Sequence, residues 1–389
     1  DPATLRKLHA LPGSAVFIDE AHAALPVKLW PQNWEWLSEL AESWKCRFVL
    51  ASGSLVRFWE DSAIVRCPRR LPDLLPAEQA GDVMRQEKAR VRFNAINGGR
   101  VLSVAELIER IRAEAGPRLV ILNTVQNAAV VANAIRDDGH DVLHLSTALT
   151  PRDRTAMLKR VKSRLESRRS KRDWTLVATS CVEAGVDISF QCAFRERFSV
   201  ASTIQIGGRV NRHGKDTKTG GGAVFDFTLA DARITRHPAA EVSAAVLSRL
   251  MNGDCLNLVN PADVATRAMR EELSARGGLA YDLLSKAERE RDYPAVKKLG
   301  RVIEADTRFV VVDPHLRTLL DGGRQVGFRE LLEGSVQLWA RRIENLGLDP
   351  APGRQEIYIW RDDYDPTFLG YMAGVLRLEN FLESGGAII

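Results

Sequence analysis

The chain holds little cysteine, five residues in 389, and these (Cys46, Cys67, Cys181, Cys192 and Cys255) are widely spaced and never in Cys-x-x-Cys order. Neither a disulfide framework nor a zinc knuckle is indicated, and a reducing cytoplasm fits best. No stretch of about 18 apolar residues occurs, which excludes a membrane-spanning helix. No basic, apolar and small-residue series opens the chain, so no export signal is visible; it begins at Asp1 rather than Met and reads as part of a longer protein. Internal repeats and low-complexity tracts are missing as well. The only adjacent His-Asp pair, His140-Asp141, stands without the scattered ligands a metal site requires and reads as the polar entry to a strand.

What remains is an ordinary globular composition, 45% hydrophobic and 27% charged, long enough for two or three domains that each bury a core. A net charge of +5 permits a polyanionic partner without demanding one. Strand-like apolar runs recur at Ala15–Ile18, Arg47–Ala51, Arg118–Leu122, Val142–Leu145, Thr175–Ala178 and Ala223–Phe227, separated by helical patterns. That alternation predicts an α/β fold with mostly parallel sheets. A Pro-rich break at 67–76 separates a first unit, residues 1–87, from a second, residues 88–232. A helical stretch without strands follows at 233–298, then a small α+β tail at 299–389, with a hairpin from Val302–Glu304 to Phe309–Val312 and a strand at Ile357–Trp360.

Two motifs carry chemistry. Ala15–Ile18 delivers Asp19 and Glu20 to the C-terminal end of what reads as a buried parallel strand, where open α/β sheets place ligand sites. Asp19 can hold Mg²⁺, preferably through a water, and Glu20 can orient or deprotonate the water that attacks a γ-phosphate. Downstream, Gln205 is followed by Gly208, Arg209 and Arg212. The two arginines, three apart, would face one side of a helix and neutralise charge developing in phosphoryl transfer, while Gln205 suits adenine or γ-phosphate sensing.

Weaker signals lie between. Ser52-Gly53-Ser54 follows the strand after the Asp-Glu pair, so its hydroxyls sit at the same sheet edge, although such a triplet is more often a plain turn. Thr124, ending a strand, could donate to a backbone phosphate. In Thr179-Ser180-Cys181-Val182-Glu183-Ala184-Gly185-Val186-Asp187, hydroxyls meet a strand end beside a glycine loop, and Asp187 can accept from a ribose hydroxyl or from an arginine of the next motif. Lys159–Arg172 carries eight basic residues against one acid and reads equally as a phosphate-attracting patch or a solvated helix face. Trp30, Trp34, Trp36 and Trp44 could stack on bases, but helical spacing favours core or domain-interface packing. Asp362-Asp363-Tyr364-Asp365 reads as a solvated loop before Pro366.

Asp19-Glu20-Ala21-His22, the run 177–188 and Gln205 through Gly214, with Asn211-Arg212-His213-Gly214, resemble superfamily 2 helicases, and more narrowly the CRISPR-associated helicase/nuclease of type I systems. The likeness covers residues 15–230; the tail matches in position more than in motif. It implies part of one RecA-like domain, a complete second one, a helical linker and a C-terminal domain, with ATP between the two RecA-like domains. It implies ATP-driven 3′→5′ translocation on single-stranded DNA, the non-target strand of an R-loop, after recruitment by a crRNA-guided surveillance complex of the Cascade type. His22, Gly185, Asp187, Gln205 and Gly208 would join the nucleotide site, Thr124, Thr179 and Ser180 would touch DNA, and Ser52 and Ser54 would couple hydrolysis to movement. Two departures stand out. The coupling element has Gly53 where the family has alanine. No Gly-x-x-x-x-Gly-Lys-Ser/Thr phosphate loop occurs, so this chain alone is expected to be inactive, the loop and the HD nuclease belonging to an upstream half. Rival readings are a DExH RNA helicase or remodeller, and a non-catalytic split half that binds DNA or a partner protein.

Overall fold

The structure, a computed structural model, describes residues 8–21, 26–167, 173–183, 185–214, 221–235, 237, 240–277, 282–302 and 306–377. The chain divides into two compact units, Asp1–Arg85 with Gly253–Glu304, and Gln86–Asn252 with Ala305–Ile389.

In the first unit, β1 (Ala15–Asp19) and β2 (Arg47–Ala51) are parallel neighbours, registered from Ala15 opposite Arg47 to Asp19 opposite Ala51. The helix Trp30–Glu42 makes the crossover, with proline in its first turn, where a missing amide costs nothing. Trp30 stacks on Phe58 with ring centroids 4.6 Å apart and Trp34 on Trp59 at 6.0 Å, and all four rings are buried. Trp30 and Trp34 are therefore core, whereas Trp36 is 43% exposed. One expectation is corrected: β1 is not buried, and Phe17 on its outer face is 65% exposed. Among the described residues β1 hydrogen-bonds to β2 alone, in a two-stranded sheet. The helices Pro261–Ala275 and Asp282–Arg289 belong to this unit through Arg57 with Asp263 (2.7 Å), Arg270 with Asp61 (2.7 Å) and Ser285 with Gln32 (2.6 Å).

The second unit is built on a parallel sheet ordered β3-β9-β8-β5-β7-β6, with the short β4 also on β9. Its strands are β3 (Val91–Ala95), β4 (Val101–Leu102), β5 (Arg118–Ile121), β6 (Val142–Leu145), β7 (Thr175–Ala178), β8 (Cys192–Glu196) and β9 (Gly222–Leu229). β5, β7 and β8 are buried throughout, as a parallel sheet covered on both faces requires. Side chains alternate between two cores, Val120, Val177 and Phe194 in one, Leu119, Leu176 and Ala193 in the other. The first core continues into the tail through Val310, Val336, Trp360 and Tyr371.

The tail forms its own sheet, β10 (Thr307–Val311), β11 (Ser335–Trp339), β12 (Pro350–Ala351) and β13 (Arg354–Ile359), in the order β11-β10-β13-β12. Of the expected hairpin, residues 303–305 lie outside the described residues, and the antiparallel partner of β10 is β11, some 25 residues further on, rather than the segment just before it.

Candidate functional site

Parallel pairing puts the C-terminal ends of β1 and β2 side by side, so Asp19-Glu20 and Ser52-Gly53-Ser54 leave the sheet together. Asp19 is exposed and accepts the amide of Glu20 on Oδ1 at 3.0 Å. Glu20 turns the chain at φ 49°, a left-handed conformation that costs a non-glycine residue about 1–2 kcal/mol, and strain of this kind concentrates at functional sites. The turn holds because the amide of Ala21 still reaches the carbonyl of Ala51 at 3.1 Å, and because Ser52 Oγ donates to Glu20 Oε2 at 2.5 Å. Ser52 Oγ also accepts the amide of Ser54 at 3.1 Å. A methyl added at Gly53 would meet nothing within 4 Å, so crowding does not demand glycine there. His22 lies outside the described residues.

In the second unit the loops after β5 and β7 and the turn after the helix Val200–Gly207 gather at one edge of the sheet. Arg209 and Arg212 are not on one face of a helix: the helix stops at Gly207, Gly208 caps it, and Asn211 takes a left-handed φ of 43°. Packing demands glycine at the last helical position, since a Cβ at Gly207 would sit 2.7 Å from the Phe93 ring. The two guanidinium groups then go different ways. Arg209 donates to the carbonyls of Glu183 (2.8 Å) and Val182 (3.3 Å). Arg212 pairs with the exposed Asp187 at 3.1 Å, while its own amide is held by Ser189 Oγ at 3.1 Å. Gly185, at φ 72°, shapes the loop between Glu183 and Asp187. Gln205 is half-buried near the end of the helix.

The three residues expected to touch DNA differ in access. Thr124 is 4% exposed; its hydroxyl caps the helix Val125–Asp137 by accepting the amide of Asn127 and meets Thr235 Oγ1 at 3.3 Å. Thr179 is 7% exposed and donates to Cys181 Sγ at 3.6 Å. Ser180 is exposed. Cys181 is a packing residue whose thiol burial pushes up in pKa, away from nucleophilic use.

Sequence inspection missed the largest polar feature of this edge. β8 ends in Arg195-Glu196, and Arg195 is 1% exposed yet bonded through all three guanidinium nitrogens. Its Nε donates to Ser202 Oγ (2.9 Å), its Nη1 to Asn123 Oδ1 (2.6 Å) and the carbonyl of Glu196 (2.9 Å), and its Nη2 pairs with Glu183 Oε1 (3.1 Å). Ser202 Oγ also donates to Glu183 Oε1 at 2.8 Å. Glu196 accepts the amide of Asn123 at 2.7 Å and the side chain of Asn127 at 3.1 Å. Burial raises the pKa of Glu183 and Glu196 and lowers that of Arg195, with the mutual attraction of Glu183 and Arg195 opposing both shifts. The available signal was a pair of charges, Arg195-Glu196, inside an apolar context between two motifs.

The other polar clusters are absorbed locally. From the basic run, Arg164 pairs with Asp141 at 2.9 Å and lies over the Trp174 ring at 4.7 Å; Lys159, Arg160 and Lys162 are exposed, and residues 168–172 lie outside the described residues. Asp363 pairs with Arg377, and Tyr364 donates to Asp153 at 2.5 Å. Among the described residues no group of three or more His, Cys, Asp or Glu side chains could hold a metal, and no helix is long and apolar enough to cross a membrane. A Mg²⁺–ATP complex fits the donors present in one respect at each edge: an exposed Asp19 carboxylate for the ion through water, and an exposed Arg212 for phosphate charge.

Residues 114–215 match the family model described as CRISPR-associated nuclease/helicase Cas3, C-terminal. A CRISPR-associated nuclease/helicase Cas3 of Methanothermobacter thermautotrophicus is 26% identical over 253 residues, which are 61% of this chain and 30% of that protein. The crystal structure of T. fusca Cas3-AMPPNP superimposes with a TM-score of 0.57 at 15% identity, over 91% of this chain and 51% of that one. A chain in a structure described as a CRISPR RNA-guided surveillance complex, pre-nicking, gives 0.53 at 15% identity, over 88% and 53%. The chain thus spans about half the length of these solved chains and 30% of the curated relative. The structural likeness shows the fold alone, an α/β fold with a parallel sheet shared with these chains.

Proposed function

We propose that this chain, whose residues 114–215 match the C-terminal Cas3 family model, is the motor part of an ATP-driven single-stranded-DNA translocase of type I CRISPR systems, recruited by a crRNA-guided surveillance complex and completed by a segment carrying the phosphate loop and nuclease. One observation carries the reading most directly. Arg209 is committed to backbone carbonyls, whereas Arg212 rests on Asp187 at 3.1 Å in an exposed pair. An exposed ion pair is worth about 0–1 kcal/mol, so phosphate oxygens can displace Asp187 at little cost. Arg212 is then the charge that enters and leaves with nucleotide, and Arg209 holds the loop that presents it. In the other unit, Asp19 would hold the ion through its water shell, and Glu20, held by Ser52, would orient a water. Bound Mg²⁺ supplies charge neutralisation across the phosphates. Ser180 is the exposed hydroxyl available to a DNA backbone; Thr124 and Thr179 shape that edge from beneath.

The test is ATP hydrolysis stimulated by single-stranded DNA, with the chain joined to the phosphate-loop segment. Arg212→Ala should lower turnover by about 10³-fold or more, the usual worth of such an arginine, while DNA affinity stays within a few fold. Equal loss of both would remove Arg212 from the phosphate site. Tight DNA binding by a folded wild-type assembly that never turns over would favour the binding-module alternative.

A further inference from the structure

Glu183 occupies a junction. Its carbonyl is the nearer anchor of the Arg209 guanidinium, and its carboxylate is gripped by Arg195 and Ser202. Four residues later the same loop ends in Asp187, the partner of Arg212. Arg195 in turn holds Asn123, whose amide is fixed by Glu196 and which leads into the helix that Thr124 caps. One buried ion pair therefore ties the end of β5, the end of β8, the helix Val200–Gly207 and the loop after β7 to a single geometry.

Stability does not account for such a pair. Taking both charges out of water costs several kcal/mol per ion in general, and well-packed apolar replacements often do as well or better. What an ion pair bonded through all three guanidinium nitrogens supplies is a unique arrangement. A lysine could not reproduce it, because Arg195 bonds at three nitrogens in a fixed plane. The groups so arranged are the carbonyl that orients Arg209 and the loop that carries Asp187.

We infer that Glu183 and Arg195 are positioning residues for phosphoryl transfer: they act through the Glu183 carbonyl to set the Arg209 guanidinium, and with it the Asp187 loop that faces Arg212. This rests on the reading of Arg212 as the phosphate-facing group and of Arg209 as the residue that holds the loop presenting it. Neither Glu183 nor Arg195 touches nucleotide in this scheme.

The test replaces both charges at once, Glu183→Gln with Arg195→Met, so that neither member of the pair is left facing a missing partner, and measures kcat and the KM for ATP of the assembled motor in wild-type and Arg209→Ala backgrounds. In the wild-type background kcat should fall by about 10²-fold, the usual cost of a misplaced catalytic group, with KM, DNA affinity and melting temperature close to wild type. In the Arg209→Ala background the double replacement should cost no more than about threefold further, because residues acting as a unit are not additive. The same fold loss in both backgrounds, or none in the wild-type background while Arg209→Ala is inactive, would overturn the inference and leave the proposed function standing. Full turnover by Arg209→Ala itself would overturn the role of Arg209 and the inference with it. If the double variant melts early, Ser202→Ala decides, since it deletes only the hydroxyl bonded to both side chains: a lower kcat at unchanged KM supports the inference and an unchanged kcat overturns it.

Discussion

Arg342 shows what a buried arginine looks like when nothing has been built around it. It lies on the helix Ala340–Asn345 at 2% exposure, and none of its three guanidinium nitrogens finds a hydrogen-bond partner among the described residues. Burial pushes its pKa down, with only Tyr371 acting the other way. Arg195, at similar burial, bonds through all three. Arg342→Met keeps most of the aliphatic stem and removes the charge, so it should stabilise the protein, by about 1–4 kcal/mol on the precedent of buried ion groups replaced by apolar ones. Denaturant unfolding followed at an unchanged m-value measures it, and a lower midpoint would show that the charge is paired in solution. The two motifs stand out in the sequence because phosphate chemistry narrows the choice of residue types. Which arginine is spent on the backbone was not readable, because spacing of three is the same on a helix as across the Gly207-Gly208 stop. The motif also drew attention to Gly208, whereas the closer approach is at Gly207, where the Phe93 ring leaves no room for a side chain.

Elements were legible where the residues are uniformly apolar and obscure where polar or charged residues interrupt the run. β5, β6, β7 and β9 announce themselves as apolar runs, but β8, at the centre of the sheet, reads Cys-Ala-Phe-Arg-Glu, and its charges disguise a fully buried strand. β11, with Gln337 in its middle, was missed for the same reason, and with it the pairing of the tail sheet. A further polar group in a buried strand gives a pH test. His144 on β6 has no exposed surface; its Nδ1 lies 2.6 Å from the carbonyl of Phe368, so the neutral ring donates there, and its Nε2 has no hydrogen-bond partner among the described residues. Desolvation lowers its pKa from 6.5 to about 4, against smaller opposing contributions from the Phe368 carbonyl and Asp365. Because the folded value lies below the unfolded one, the unfolded chain takes up the proton first as pH falls. The contribution of His144 is complete above pH 6.5 and is lost between 6.5 and about 4, on the order of 3 kcal/mol in all. The buried carboxylates Glu183, Glu196 and Asp226, with raised values, change stability in the opposite sense, so the readout is the difference from His144→Leu. That variant should lose less stability than wild type across this window; parallel curves would mean that the ring is already accessible to protons in the folded protein.

At the scale of the whole chain, connection and cooperation diverge. Residues 233–298 read as one helical linker, but the structure groups Gly253–Glu304 with Asp1–Arg85 and leaves the helix Glu241–Asn252 in the other unit. The ties are specific: Ser285 donates to the buried Gln32, Arg57 pairs with Asp263, and Arg270 with Asp61, although each pair is more than 200 residues apart in sequence. No pattern in a single sequence reports contacts of that range, since amphipathic helices of similar composition would look the same docked or free. Within the second unit the tail is bound as closely, by Arg152 with Asp313 at 2.7 Å and His144 with Phe368. If these groupings are cooperative units, local opening should follow them rather than the order of the chain. Gln32→Leu leaves the Ser285 hydroxyl buried without its partner and should cost about 1–3 kcal/mol. Native-state hydrogen exchange should then speed up by a common factor in the helices Trp30–Glu42, Pro261–Ala275 and Asp282–Arg289, while amides of β5, β7 and the helix Val200–Gly207 keep their wild-type rates. Acceleration confined to Trp30–Glu42 would make residues 253–304 a passive linker after all, and acceleration spreading to β5 and β7 would mean that the two units open together.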